Sequence, residues 1–227
     1  MALILNINTA TEIAGIYLSK DGELIASSYN EQQYDHATWI HQAIDKILKQ
    51  NSYTVKDLVA VAVTAGPCSY TGLRVGMATA KGLCYALTIP LITESTLKLM
   101  AAEAISQHPD TAMIEPEYFC PLIDARRMEV FTALYDGQLK EIIQPRALIL
   151  EEHSFEQYLS LGVINFFGSG SDKWEKMAGH SKFRFINLIA SGKQFSILSY
   201  SKFIKQEFAI LAYEEPVYLK EFYIHPK

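Results

Sequence analysis

The sequence predicts an α/β fold in which strands and helices follow the order βββαβαβα, with a shorter α/β half after it. Three observations predict this. The apolar spacing of the first hundred residues switches from a strand's period to a helix's and back again. Helical stretches separate the later strands, as crossovers between parallel strands require. Of 227 residues, 49% are hydrophobic and 20% charged, which suits a large packed core and excludes a disordered chain.

Each element has a local reason. Leu3–Asn8 reads as a mostly buried strand, Thr9-Ala10-Thr11 as a turn and residues 13–18 as a second strand. Asp21-Gly22 signals a hairpin into a third strand over residues 24–29. Ile40, Ile44, Ile47 and Leu48 then share one helical face, with Asp35 as the N-cap. Residues 58–63 are a fourth strand, rich in β-branched side chains, and Gly66-Pro67 turns the chain. A helix follows over residues 71–87. Pro90 ends it, residues 89–93 form a fifth strand, and Ser95 caps a helix to about residue 106. This is the order of the ribonuclease-H-like fold used by actin-type and sugar-kinase-type ATPases.

The polar stretch holding His108-Pro109-Asp110 and Glu115-Pro116 is the predicted boundary, giving domains 1–107 and 108–227. In the second, strands are expected over residues 118–124, 129–135, from 139, and 163–167. Helices are expected near 153–159, 172–179 and 194–207. The C-terminal tail is expected to pack back on the first domain. No clean sequence repeat links the halves. Folding should bury about 72% of the extended chain's surface, so no disulfide or metal staple is needed.

The net charge of −5 disfavours a general nucleic-acid coat protein. Residues 1–170 hold 11 Lys/Arg against 19 Asp/Glu, and residues 171–227 hold 9 against 6. That mildly basic tail reads first as a solvated surface and second as an RNA contact. Cys68, Cys84 and Cys120 are odd in number and have no CxxC spacing, which points to a reducing compartment. Neither a signal peptide nor a run of 18 apolar residues is present, so a cytoplasmic location is expected.

The most informative stretch is Gly66-Pro67-Cys68-Ser69-Tyr70-Thr71-Gly72-Leu73-Arg74-Val75-Gly76. A strand feeds a Gly-Pro turn, hydroxyl residues and a helix N-terminus, where backbone N–H groups suit an anion. The competing reading is an N-capped helix packed closely through Gly72, Gly76 and Ala80. No GK[ST] follows, so it is not a Walker A loop. There is also no G-x-S-x-G elbow. His36 and His41 are five apart and do not make an i, i+4 metal pair.

Residues 66–76 closely resemble the GPGSYTGLRVG signature of the bacterial TsaB (YeaZ) family. Asn8-Thr9-Ala10-Thr11 stands where that family has D-T-S-T, and His36-Ala37-Thr38 for its H-S-E. Residues 123–130, Ile-Asp-Ala-Arg-Arg-Met-Glu-Val, match its I-D-A-R-R-x-E-V segment. Pro216-Val217-Tyr218-Leu219-Lys220 resembles its P-V-Y-L-R.

The resemblance implies two ribonuclease-H-like halves. It also implies a non-catalytic scaffold that pairs with TsaD, the transferase that places threonylcarbamoyl on an adenosine beside the tRNA anticodon. TsaE would join as ATPase, with tRNA contact indirect or weak. TsaD enzymes carry N-H-x-x-x-H after the corresponding strand. Here those two histidine positions are Thr96 and Met100, which do not replace two imidazoles on a cation. No catalytic residue, metal or cofactor is therefore expected. Asn8 in place of Asp removes the charge that actin-type ATPases use near metal-phosphate, and Cys68 replaces a glycine. Asn8, Thr9, Ser69 and Thr71 are then candidates for a vestigial phosphate loop.

In the family, the first helix and the Gly-rich helix pair with the same helices of TsaD. The candidate interface is Trp39, Ala43, Gly72, Leu73, Gly76, Met77, Ala80 and Cys84. Trp39 also reads as a core-edge residue. Asp124 and Arg126 read first as a turn pair between strands, and second as a partner or cleft contact. Without TsaD, a homodimer through the same helices is expected. An actin-like ATPase or kinase acting alone is the alternative function. A metal-dependent transferase or peptidase is a third, opposed by Thr96 and Met100.

Overall fold

The computed structural model describes residues 1–11, 13–31, 36–68, 72–108 and 115–220. The predicted cap Asp35, the loop residues Ser69 and Thr71, and most of the proposed boundary segment lie outside the described residues.

The chain forms two compact units, each around its own five-stranded mixed sheet. The first comprises residues 1–66, 70–99 and 190–216. Its strands are β1 (Leu3–Asn8), β2 (Ala14–Lys20), β3 (Glu23–Asn30), β4 (Ala60–Gly66) and β5 (Leu91–Ser95), in the order β3-β2-β1-β4-β5. β1 pairs antiparallel with β2 and parallel with β4, so the meander continues into crossover strands as the spacing predicts. The hairpin from β2 to β3 turns at Asp21 and Gly22, both at positive φ (52° and 87°), which the Asp-Gly pair tolerates.

One face of this sheet is covered by α1 (His36–Gln50) and α2 (Gly72–Leu87). Leu5, Ile7, Leu18, Val61 and Val63 meet Ile40, Ile44, Ile47, Met77 and Ala80 there. Alternate strand residues point to the other face. There Ile4, Tyr17, Ala62 and Ile92 pack with Leu99 of α3 (Thr96–Gln107) and Phe195 of α5 (Lys193–Ile204).

The second unit comprises residues 67–69, 100–189 and 217–227. Its strands are β6 (Glu117–Asp124), β7 (Glu129–Asp136), β8 (Glu141–Ile149), β9 (Val163–Phe167) and β10 (Phe183–Phe185). The order β10-β9-β6-β7-β8 repeats the plan of the first sheet: an antiparallel meander, then two parallel additions. Its core stacks Phe155, Phe166 and Phe183 against Trp174 of the short α4 (Ser171–Glu175).

The units divide the chain elsewhere than at 107/108. Residues 100–107 go with the second unit and residues 190–216 with the first, because the first sheet's second face needs Phe195 to cover it. The helix expected near 153–159 is a single 3₁₀ turn over Glu156–Tyr158. The strand β10 was not predicted: three residues, Phe-Arg-Phe, are too short for a readable period.

Candidate partner face and strand-end loop

At the C-terminal ends of β1 and β4, Asn8 is buried and its Oδ1 accepts from the Ala10 N–H at 3.2 Å and the Thr64 hydroxyl at 3.1 Å. The side chain thus ties a turn to a neighbouring strand. Next to it Thr9 is 1% exposed and its hydroxyl has no hydrogen-bond partner among the described residues. A Cβ on Gly76 would stand 2.2 Å from that hydroxyl and 3.5 Å from Ile7. Gly76 is therefore the close-approach point between α2 and β1. Gly66 needs its glycine for a different reason, a φ of 114°. Cys68 is buried and is not among the positive-φ residues, so its side chain meets no backbone penalty. Ser69 and Thr71, the other two candidates of the phosphate loop, lie outside the described residues.

The candidate interface residues are mostly core. Gly72, Leu73, Gly76, Met77, Ala80 and Cys84 are all buried on α2, and Ala43 is 4% exposed on α1. Trp39 is half-buried and packs on the same cluster. The apolar face of each helix is taken up by its own sheet, and the opposite faces are exposed. On α1 those are Thr38, His41, Gln42, Asp45 and Lys49. On α2 they are Arg74, Ala78, Gly82 and Tyr85, with Tyr85 81% exposed. A Cβ at Gly82 would meet nothing within 4 Å. Ala78 and Gly82 are one turn apart, so α2 carries a second small-residue stripe, pointing outward. Their exposure was not readable, because a helix with small residues on two faces gives periodicity no means of choosing between them. Tyr85 is the one large hydrophobe exposed on the described side chains of the two helices.

Thr96 and Met100 sit one turn apart on α3, both buried, and the Thr96 hydroxyl has no hydrogen-bond partner among the described residues. They offer a hydroxyl and a thioether, a donor pair that does not fit a hard or borderline metal. Among the described residues no group of three or more His, Cys, Asp or Glu could hold a metal ion. None of their helices is long and apolar enough to cross a membrane.

Two units, each with a meander extended by two parallel strands in the same order, define the actin and sugar-kinase class of α/β fold. The family model described as TsaD, tRNA N6-adenosine threonylcarbamoyltransferase, matches residues 23–221. The chain belongs to that family and, within it, to the TsaB (YeaZ) group. It is 31% identical over 152 residues to the tRNA threonylcarbamoyladenosine biosynthesis protein TsaB of Bacillus subtilis, a match covering 66% of this chain and 63% of that protein. It is 28% identical to the protein of the same name from Escherichia coli, over 96% of this chain and 94% of the relative. The solved structure of YeaZ from Pseudomonas aeruginosa superposes with a TM-score of 0.78, over 96% of this chain and 100% of that one. At 22% identity, that likeness speaks for the fold.

Proposed function

We propose that this chain acts in tRNA threonylcarbamoyladenosine biosynthesis as a non-catalytic scaffold that binds and activates a TsaD-type transferase. The observation that carries the reading is α3: within the transferase's own family, this chain has Thr96 and Met100 where the metal-holding histidines belong. Asn8 supports it from the C-terminal end of β1, on the same edge of the sheet. A neutral side chain whose oxygen is already bonded to Ala10 and Thr64 is a weak start for metal-nucleotide chemistry, which disfavours an independent ATPase or kinase. TsaE joins in the larger complex, on the same family resemblance.

The docking face in this reading is the outward side of α1 and α2. Ala78 and Gly82 let a partner helix approach the backbone closely, and Tyr85 supplies an aromatic anchor beside them. The test compares three variants for melting temperature and for affinity toward a purified TsaD-type transferase. Gly82→Arg and Tyr85→Ala should melt like the parent and lose binding, Tyr85→Ala by about 2 kcal/mol. Gly76→Leu should do the reverse in order: it drives a side chain into Thr9 and Ile7, so its fold weakens first. Parent-like affinity in both Gly82→Arg and Tyr85→Ala would show that these helices are not the docking surface.

A further inference from the structure

The tip of the hairpin between β6 and β7 is strained in a way its fold does not require. Arg126 and Arg127 are consecutive and both at positive φ, 68° and 51°. This is left-handed backbone, which glycine and asparagine tolerate and where arginine carries a Cβ penalty twice over. Such strain persists only where the surroundings over-determine it, and it concentrates at ligand clamps.

The surroundings here do over-determine it. Lys173 of α4 donates to Asp124 Oδ1 at 2.9 Å, to the Arg127 carbonyl at 2.9 Å and to the Glu129 carbonyl at 2.7 Å. All three ammonium protons are spent on the turn. Asp124 Oδ1 also accepts from the Arg126 N–H at 2.6 Å, and the Asp124 N–H donates to Ser169 Oγ at 3.1 Å.

The same contacts settle the local charge. Asp124 is paired with Lys173 and Glu129 with Lys220. Arg126 and Arg127 are exposed, and neither guanidinium has a hydrogen bond or ion pair among the described residues. The tip therefore presents two uncompensated guanidinium groups on a fixed backbone, and their planar forks match phosphate oxygens.

We propose that the Arg126–Arg127 turn is an RNA-backbone clamp that grips phosphodiester groups of tRNA. The choice of RNA follows from size and charge. A two-residue tip is far smaller than the ~800 Å² per side that a stable protein interface needs. Phosphate contacts, in contrast, act singly and additively. The net charge of −5 keeps RNA off most of the remaining surface, so the contact is confined to the tip. The proposal takes tRNA as its ligand from the pathway reading above. Its test uses the chain without a transferase, so it stands or falls separately from docking at α1 and α2.

The experiment measures binding of labelled tRNA to the full chain across a salt series, with poly-L-glutamate as a second probe. The variant is Arg126→Asn with Arg127→Gly, and the control is Lys56→Gln with Lys140→Gln, which removes the same charge elsewhere. The turn variant should bind tRNA at least tenfold more weakly, and its log–log salt slope should be shallower by about 1.5. It should also melt higher, by roughly 2–4 °C, because Asn-Gly relieves the turn. That gain excludes misfolding as the cause of lost binding. The control should keep the parent's slope. The proposal is overturned if the parent shows no salt-dependent tRNA binding, or if turn variant and control lose it equally. It is also overturned if the turn variant loses poly-L-glutamate while keeping tRNA, which would assign the tip to an acidic polypeptide.

Discussion

Cys84 and Cys120 show what burial does to a single titratable group in this chain. Both are buried, and neither is in a disulfide. Burial pushes the Cys84 thiol from 9.0 up to about 11, against a smaller opposing pull from the Val61 backbone. It pushes Cys120 to about 12, with the Thr132 hydroxyl at 3.3 Å pulling the other way. A thiol that ionises later in the folded state stabilises the fold fully below the unfolded value of 9.0, and that stability is lost as pH rises toward the folded value. The expected outcome is a melting temperature that falls between pH 9 and 11. A Cys84→Ala/Cys120→Ala chain should lose less over the same window, measured by thermal scans at matched ionic strength. If both chains lose stability in parallel, the alkaline sensitivity belongs to other groups.

At the scale of elements, the contact of α5 with the edge strand β5 rests on one ion pair as well as on apolar packing. Glu94 is 3% exposed, and its carboxylate lies 3.2 Å from Lys202 of α5. The same ammonium donates to the Thr93 carbonyl at 2.6 Å. Further along, the Ala209 N–H donates to the Leu91 carbonyl, so the free edge of β5 is partly occupied by the chain's own C-terminal segment. Removing Lys202 would leave a buried carboxylate without its partner. Lys202→Met is expected to cost roughly 3 kcal/mol in denaturant unfolding, and Glu94→Gln with Lys202→Met considerably less. Equal losses in the single and double variants would mean that the charges do not interact.

Across the whole molecule, neither unit is a contiguous stretch of chain. The first unit takes residues 190–216 from the far end of the sequence, and those residues carry Phe195, which is fully buried against Tyr17 and Ile92. A fragment of residues 1–107 therefore keeps all five strands of the first sheet yet exposes one of its apolar faces. It should express as an aggregating or dye-binding species. Adding residues 190–216 through a flexible linker should restore cooperative melting. A soluble, cooperatively melting fragment 1–107 would contradict this account of the first core.

The class of fold, the first meander with its crossovers, and the family are legible in the residues alone. Those features are local: apolar spacing, the Asp21-Gly22 turn, and the run of residues 66–76 are all read within one short window. Tertiary structure decided the rest. It assigned Gly76 to Thr9 and Ile7, and turned Ala78, Gly82 and Tyr85 outward. Spacing alone cannot tell which of two small-residue stripes meets the sheet. It returned α5 to the first unit across more than ninety intervening residues. It also revealed β10 as the strand that makes the second sheet repeat the first. The strain at Arg126 and Arg127 was equally invisible beforehand, because two arginines in a polar turn look ordinary until their φ angles and the bonds of Lys173 are known. In each case the deciding contact joins residues distant in sequence, and no pattern within a window carries it.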